Sequence, residues 1–323
     1  MVPLTEIRAA AARIAGRVHR TPIVTSRTLG ERVGVRLHLK CESFQKTGSF
    51  KPRGALNKIE SLGSDEQAAG LITTSAGNHA QGVAWAAREV GAPCTVVMPT
   101  DAPQSKIDAV TDYGAEVILQ ADRTTLFERV EEERQARGAT FVHPFDDVAV
   151  LAGAGTTGLE IVEDVPDVDV VVVPVGGGGL LGGIASAVKA VRPETRIIAV
   201  ELEAGPGLGP ALEAGEPVTV PRPQPTLADG MTPPFVGRLP LAIAQRAVDD
   251  VVVVSEEEIA TAMGLLLTRC KLIVEGSGAA ATAAILSGRI ALPDGARVAS
   301  VVSGGNVDLG TLAEMFGQRE EPA

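Results

Sequence analysis

The stretch that most constrains this chain is Val168 to Gly183. A run rich in valine, Val168 to Val175, is its most apolar segment, and it enters four consecutive glycines, Gly176, Gly177, Gly178 and Gly179, followed by Leu180-Leu181-Gly182-Gly183. A short apolar run without alternation is the pattern of a strand buried on both faces, as in a parallel sheet. Four successive glycines cost backbone entropy on ordering, so their place between a strand and an Ala-rich helix calls for a reason. Glycines at a strand-to-helix turn let backbone N–H groups close on an anion, with the helix dipole behind them. The segment therefore reads as a phosphate-binding turn at the carboxyl end of a strand, where open α/β sheets bind ligands. No G-x-x-x-x-G-K-[ST] pattern is present, which excludes a nucleoside-triphosphatase loop. Gly177-x-Gly179-x-x-Gly182, with Glu201 closing the next strand, also matches a dinucleotide fingerprint, so a nicotinamide dehydrogenase is a second reading.

The rest of the chain repeats this alternation. Expected strands are Val35–Lys40, Gly70–Thr74, Cys94–Met98, Glu116–Leu119, Thr140–Val142, Val168–Val175, Arg196–Glu201, Val251–Val254 and Val298–Val302. Expected helices between them include Arg53–Glu60, Ala80–Val90, Ser105–Tyr113, Leu126–Arg137, Leu159–Val162, Ile184–Val191, Leu241–Ala247, Glu256–Thr268 and Gly278–Leu286. Gly153 to Gly158 reads as a loop before its helix, and Ala204 to Gly237, rich in Pro and Gly, is the least regular stretch. Strands alternating with helices predict an α/β fold of doubly wound open sheets. At 323 residues the chain is long enough for two domains or for one large α/β unit.

Composition narrows the function classes. Hydrophobic residues make up 45% and aromatics 3%, so the core is aliphatic and disorder is not expected. The net charge of −11 without a basic cluster argues against nucleic acid or an anionic membrane as a partner. The three scattered cysteines, Cys41, Cys94 and Cys270, lack metal spacing and point to a reducing, cytoplasmic setting. Met1 to Arg20 has the look of an amphipathic helix rather than a signal segment, and no run reaches membrane-span length.

Three further segments carry chemistry-bearing residues. In Ser49-Phe50-Lys51-Pro52-Arg53-Gly54-Ala55, Pro52 suits a first helical position and biases Lys51 toward an extended conformation. Thr47 or Ser49 is a natural cap. A lysine at a helix N-terminus beside Phe50 has its ammonium form disfavoured by dipole and desolvation, which makes it a candidate Schiff-base nucleophile. Ser75-Ala76-Gly77-Asn78-His79, between a strand and a helix, offers backbone and side-chain donors that suit a carboxylate. Ser303-Gly304-Gly305-Asn306 closes the last strand.

Together these segments resemble the serine/threonine dehydratase and serine racemase family of fold-type II pyridoxal-phosphate enzymes. The similarity extends to His143-Pro144-Phe145-Asp146-Asp147, Ala228-Asp229-Gly230 and Lys271-Leu272-Ile273-Val274-Glu275-Gly276, and so spans nearly the whole chain. The resemblance implies a fold like that of the tryptophan synthase β-subunit, with pyridoxal 5'-phosphate as cofactor and a small amino acid as substrate. Residues 1–60 and 147–323 would form the larger, cofactor-binding domain, and 61–146 a smaller mobile domain. No C-terminal regulatory domain is expected, and family members usually form homodimers or homotetramers. Lys51 would carry the cofactor and then remove the substrate's Cα proton. Phe50 would lie against the ring, Asn78 would hydrogen-bond its 3-hydroxyl, and Ser303 would face its pyridine nitrogen. Gly176, Gly177, Gly178, Gly179 and Leu180 would hold the phosphate, and Ser75, Gly77, Asn78 and His79 the substrate carboxylate. The implied reaction is dehydration and deamination of L-threonine, and of L-serine, to 2-oxobutanoate or pyruvate and ammonia.

Two departures refine this. Family racemases place a second serine where this chain has Ala76, which cannot carry a proton, so elimination is favoured over racemisation. The family's divalent-metal site pairs a Glu at Glu201 with an Asp six residues on, and here that place is Gly207. Glu201 is thus a weak metal ligand and no metal is expected. Other readings are a dehydratase of another β-hydroxy amino acid, such as 3-hydroxyaspartate or a hydroxyectoine-derived substrate, a serine racemase, and a non-catalytic amino-acid-binding relic.

Overall fold

A computed structural model describes residues 1–122, 125–221 and 225–317. The strands it describes are β1 (Ile23–Thr25), β2 (Arg36–Cys41), β3 (Leu71–Thr74), β4 (Cys94–Pro99), β5 (Glu116–Gln120), β6 (Thr140–Phe141), β7 (Val170–Pro174), β8 (Arg196–Leu202), β9 (Asp250–Val254) and β10 (Arg297–Val302). They form two sheets, one six-stranded in the order β1-β2-β10-β7-β8-β9 and one four-stranded in the order β5-β4-β3-β6. Among the described strands only the β1–β2 pairing is antiparallel. The valines of β7 are buried on both faces, as their unbroken apolar run predicts, and feed the apolar layers on either side of the large sheet. The small sheet packs on the helix Asn78–Val90, whose Val83, Ala84 and Trp85 join Leu71, Val96 and Met98 in a separate core. The architecture is the expected α/β arrangement of two open sheets.

Several boundaries differ from the sequence expectation for identifiable reasons. Gly153 to Gly158 is not a loop but the middle of a long helix, Val148–Asp164, started by the Asp147 carboxylate accepting from Ala149 N and Val150 N. Its glycines serve helix–helix contact. A Cβ on Gly153 would collide with Arg53 O, and one on Gly183 would stand 2.5 Å from Leu151 O. Lys51 is not extended but the first residue of the helix Lys51–Glu60, with Phe50 as its cap residue and no side-chain cap from Thr47 or Ser49. Tertiary bonds override the bias of Pro52. Ser49 bridges Gly304, Phe50 N donates to Ser303 O, and Arg53 N donates to Phe50 O.

Beneath that helix lies a buried charge cluster. Arg53, fully buried, donates to Glu42 Oε2 at 2.7 Å and Oε1 at 2.9 Å, and to Glu160 Oε1 at 2.7 Å and Oε2 at 2.8 Å. Lys40 Nζ donates to Glu160 Oε2 at 2.6 Å and to Thr21 O. Two cations face two carboxylates, and every charge has its hydrogen bonds. Deleting Arg53 leaves Glu42 buried without a cation and Glu160 with Lys40 alone, at a cost of about 3–5 kcal/mol. Urea unfolding of Arg53→Ala should therefore show a stability loss of about that size. A loss of a few tenths of a kcal/mol would mean that water or rearrangement compensates for the missing guanidinium.

Candidate active site

The carboxyl ends of β7 and β10 in the large sheet and of β3 and β4 in the small one open onto one cavity of about 1330 Å³. Phe50, Lys51, Ser75, Gly77, Asn78, His79, the glycines 176–179, Leu180 and Ser303 all line it. The segments picked out along the sequence are thus gathered at one place. Glu201 lies elsewhere.

Lys51 Nζ donates to Pro144 O at 3.0 Å and stands 5.0 Å from the centroid of the Phe50 ring. Desolvation by the surrounding walls lowers its pKa from the usual lysine value to about 8, against an opposing pull from Glu275. A lysine amine in this setting is part neutral near physiological pH and able to act as a nucleophile or base. The glycine turn enters the helix Gly179–Val191, with Gly178 at φ +87° as its cap residue. That left-handed conformation suits glycine, and a Cβ there would also strike Pro240. The first N–H groups of this helix lack intrahelical partners and face the cavity end of β7.

Asn78 and His79 begin the helix Asn78–Val90. The Asn78 side chain donates to Glu275 Oε1 at 2.7 Å and accepts from Asn306 Nδ2 at 2.8 Å. This fixes the orientation of its amide and leaves one N–H. The imidazole of His79 is buried, with Nε2–H donating to Val142 O, and desolvation holds its pKa well below the usual histidine value. His79 therefore stays neutral, and its backbone N–H at the helix start is the donor it can offer an anion. Ser75 Oγ accepts from Gly77 N at 3.1 Å, which shapes the nest. Ser303 Oγ donates to Ser277 O at 3.2 Å.

Two residues were missed in the sequence. Glu275, buried in the cavity wall, has its pKa pushed up to about 8 by desolvation and by Asp229. Its signal was present in the Lys271 to Gly276 motif, but no spacing rule links it to Asn78 across the chain. Ser277 Oγ is buried without a hydrogen-bond partner. Glu201, in contrast, accepts from Gly207 N at 2.7 Å, from Leu208 N and from Gly209 N at 2.9 Å, capping the helix Leu208–Ala214. Its carboxylate is engaged by backbone, which takes it away from the ribose role of the dehydrogenase reading. Among the described residues no three His, Cys, Asp or Glu side chains gather to hold a metal.

Residues 14–304 match the family described as pyridoxal-phosphate dependent enzymes, and the chain belongs to that family. It is 46% identical over 314 residues to an L-threonine ammonia-lyase of Geobacter sulfurreducens, covering 97% of this chain and 78% of that protein. Its fold superposes on maize serine racemase with a TM-score of 0.93, at 39% identity and covering 98% and 97% of the two chains. For threonine deaminase isoform 2 of Solanum lycopersicum, in its processed form, the TM-score is 0.89, at 34% identity and 97% and 91% coverage. The dehydrogenase reading of the glycines is thereby set aside. The donors present also fit the cofactor: a part-neutral lysine, a glycine turn at a helix N-terminus, and an unpartnered hydroxyl on Ser277 beside Ser303.

With cofactor removed, the reactivity of Lys51 toward an acylating reagent should rise through pH of about 8. Exposed lysines should follow only toward a pH of about 10. Mass mapping of labelled peptides across pH measures this, and a Lys51 profile coinciding with those of surface lysines would contradict the desolvated seat.

Proposed function

We propose that this chain is an L-threonine ammonia-lyase, converting threonine, and serine as a second substrate, to 2-oxobutanoate or pyruvate with release of ammonia. The observation that carries the reading is the part-neutral Lys51 amine in one cavity with the glycine turn, the Ser75–His79 nest and Ser303. The names of relatives at 43–46% identity over nearly the whole chain support the same reaction.

Pyridoxal 5'-phosphate supplies the electron sink that makes an amino-acid Cα proton acidic. Lys51 would carry it and afterwards take the Cα proton. Gly176, Gly177, Gly178, Gly179 and Leu180 would hold its phosphate by backbone N–H groups at the helix start. Phe50 would support the ring, and the remaining Asn78 N–H, aimed by Glu275 and Asn306, would meet the 3-oxygen. Ser303 would face the ring nitrogen as a neutral hydroxyl, which does not enforce its protonation. Ser75, Gly77, Asn78 and the backbone of His79 would bind the substrate carboxylate, orienting the Cα–H bond toward Lys51. Ala76 offers no proton on the opposite face, which favours elimination over inversion.

The small sheet and its helices, residues 61–146, would move as a smaller domain against 1–60 and 147–323, closing the nest over the substrate and excluding water. Lys106–Asp229 at 2.5 Å and Ser105–Asp308 at 3.4 Å span that cleft. A homodimeric or homotetrameric assembly in the cytoplasm fits the family and the three unpaired cysteines. No helix among the described residues is long and apolar enough to cross a membrane.

Purified protein loaded with cofactor should release 2-oxobutanoate and ammonia in equal amounts from L-threonine, and Lys51→Ala should abolish this. From L-serine it should form pyruvate with little D-serine. D-serine as the main product would shift the assignment to a racemase.

A further inference from the structure

We infer that Phe145 and Phe235 form an aromatic wall that selects the β-substituent of the substrate, favouring a methyl group and rejecting a carboxylate. This deepens the assignment above and rests on it for the identity of the reaction. In a chain with only seven phenylalanines, three are joined through His143 in one edge-to-face row. Centroid distances are 5.6 Å for Phe141–His143, 4.8 Å for His143–Phe145 and 5.7 Å for Phe145–Phe235. The last two phenylalanines line the cavity.

The row is fixed at both ends. His143 Nδ1 accepts from Phe145 N at 3.2 Å and Asp146 N at 2.8 Å, setting the turn that aims Phe145. Asp146 then accepts from Arg238 N at 3.1 Å and Leu239 N at 2.9 Å, while Gly237 N donates to Gly177 O, tying the segment that bears Phe235 to the same turn. Phe145 lies so close to the glycine turn that a Cβ on Gly177 would collide with its ring. On its other side, Lys51 Nζ donates to the carbonyl of the preceding residue, Pro144. Phe145 therefore sits between the amine that must reach Cα and the turn that binds phosphate.

A substrate whose carboxylate lies in the Ser75–His79 nest and whose Cα faces Lys51 has its β-carbon as the remaining group, and this pair of rings, beside Lys51 and the glycine turn, offers it an apolar surface. The charged groups on the cavity lining oppose a second carboxylate. Among the described residues, Asp229 and Asp308 line it, and of the lining cations Lys106 is already held by Asp229. The flat aromatic edges gain from covering a methyl group and offer an anion no donor.

The test uses L-alanine and L-2-aminobutanoate, which lack the leaving hydroxyl and differ by one methylene, bound to the cofactor-loaded protein in a calorimeter. The larger ligand should bind about fourfold tighter, the gain of one buried methylene. Phe235→Ala should bring the ratio close to one, and Phe235→Leu should keep most of it. In turnover, 3-hydroxyaspartate should fall at least about a hundredfold below threonine in kcat/KM, as a buried unpaired charge requires. Phe235→Arg should narrow that gap. An unchanged binding ratio in Phe235→Ala, or equal turnover of 3-hydroxyaspartate, overturns the wall. If the ratio behaves as described but threonine yields no 2-oxobutanoate, the reaction assignment fails and the wall stands.

Discussion

The arrangement depends on the buried pairing of Arg53 with Glu42 and Glu160. Arg53 lies two residues beyond Lys51, in the first turn of the same helix, and its guanidinium reaches the 3-10 turn after β2 and the helix Val148–Asp164 at once. Gly54 and Gly153 let the two helix backbones close on each other, since a Cβ on Gly54 would stand 2.8 Å from Val150 O. From the other side Ser49 bridges Gly304 at the end of β10. Lys51 is thereby held from beneath by ions and from beside by backbone. Such a cluster is weak evidence for net stability, because desolvating four charges offsets much of their attraction. Its contribution is positional: one geometry satisfies all the charges, and that geometry sets Lys51 at the cavity wall.

The chemistry follows from that seat. An amine removed from water loses part of its preference for the ammonium form, and Glu275 across the cavity restores some of it. Glu275 is itself raised to about 8 and accepts from Asn78. The site thus holds a base and an acid whose charges are both disfavoured by burial, tied to the amide that would meet the cofactor. Backbone donors from two helix starts, one in each sheet's layer, would bind anions without adding net charge.

Much of this was legible in the sequence. The valine run of β7 and its tetraglycine announced a parallel strand and a strand-to-helix turn that lines the cavity, and the Ser49 to Ala55, Ser75 to His79 and Ser303 to Asn306 segments carried the family resemblance. What the sequence concealed was contact at long range. Gly153 to Gly158 looked like a loop because glycine is a poor helix former, while the structure uses their small size for helix packing. Pro52 argued for an extended Lys51, and the bonds from Ser303 and Phe50 overrode it. Glu201 stood where a metal ligand or a ribose partner would, yet three backbone N–H groups claim it. Phe145 and Phe235, ninety residues apart, gave no periodic signal of meeting.

The central claim is that Lys51 is the residue that carries the cofactor, and borohydride reduction of the loaded protein tests it most directly. Peptide mass analysis should place a single phosphopyridoxyl group on Lys51, with the label lost in Lys51→Ala. A label on another lysine, such as Lys106 in the same cavity, or no stable label at all, would contradict the account.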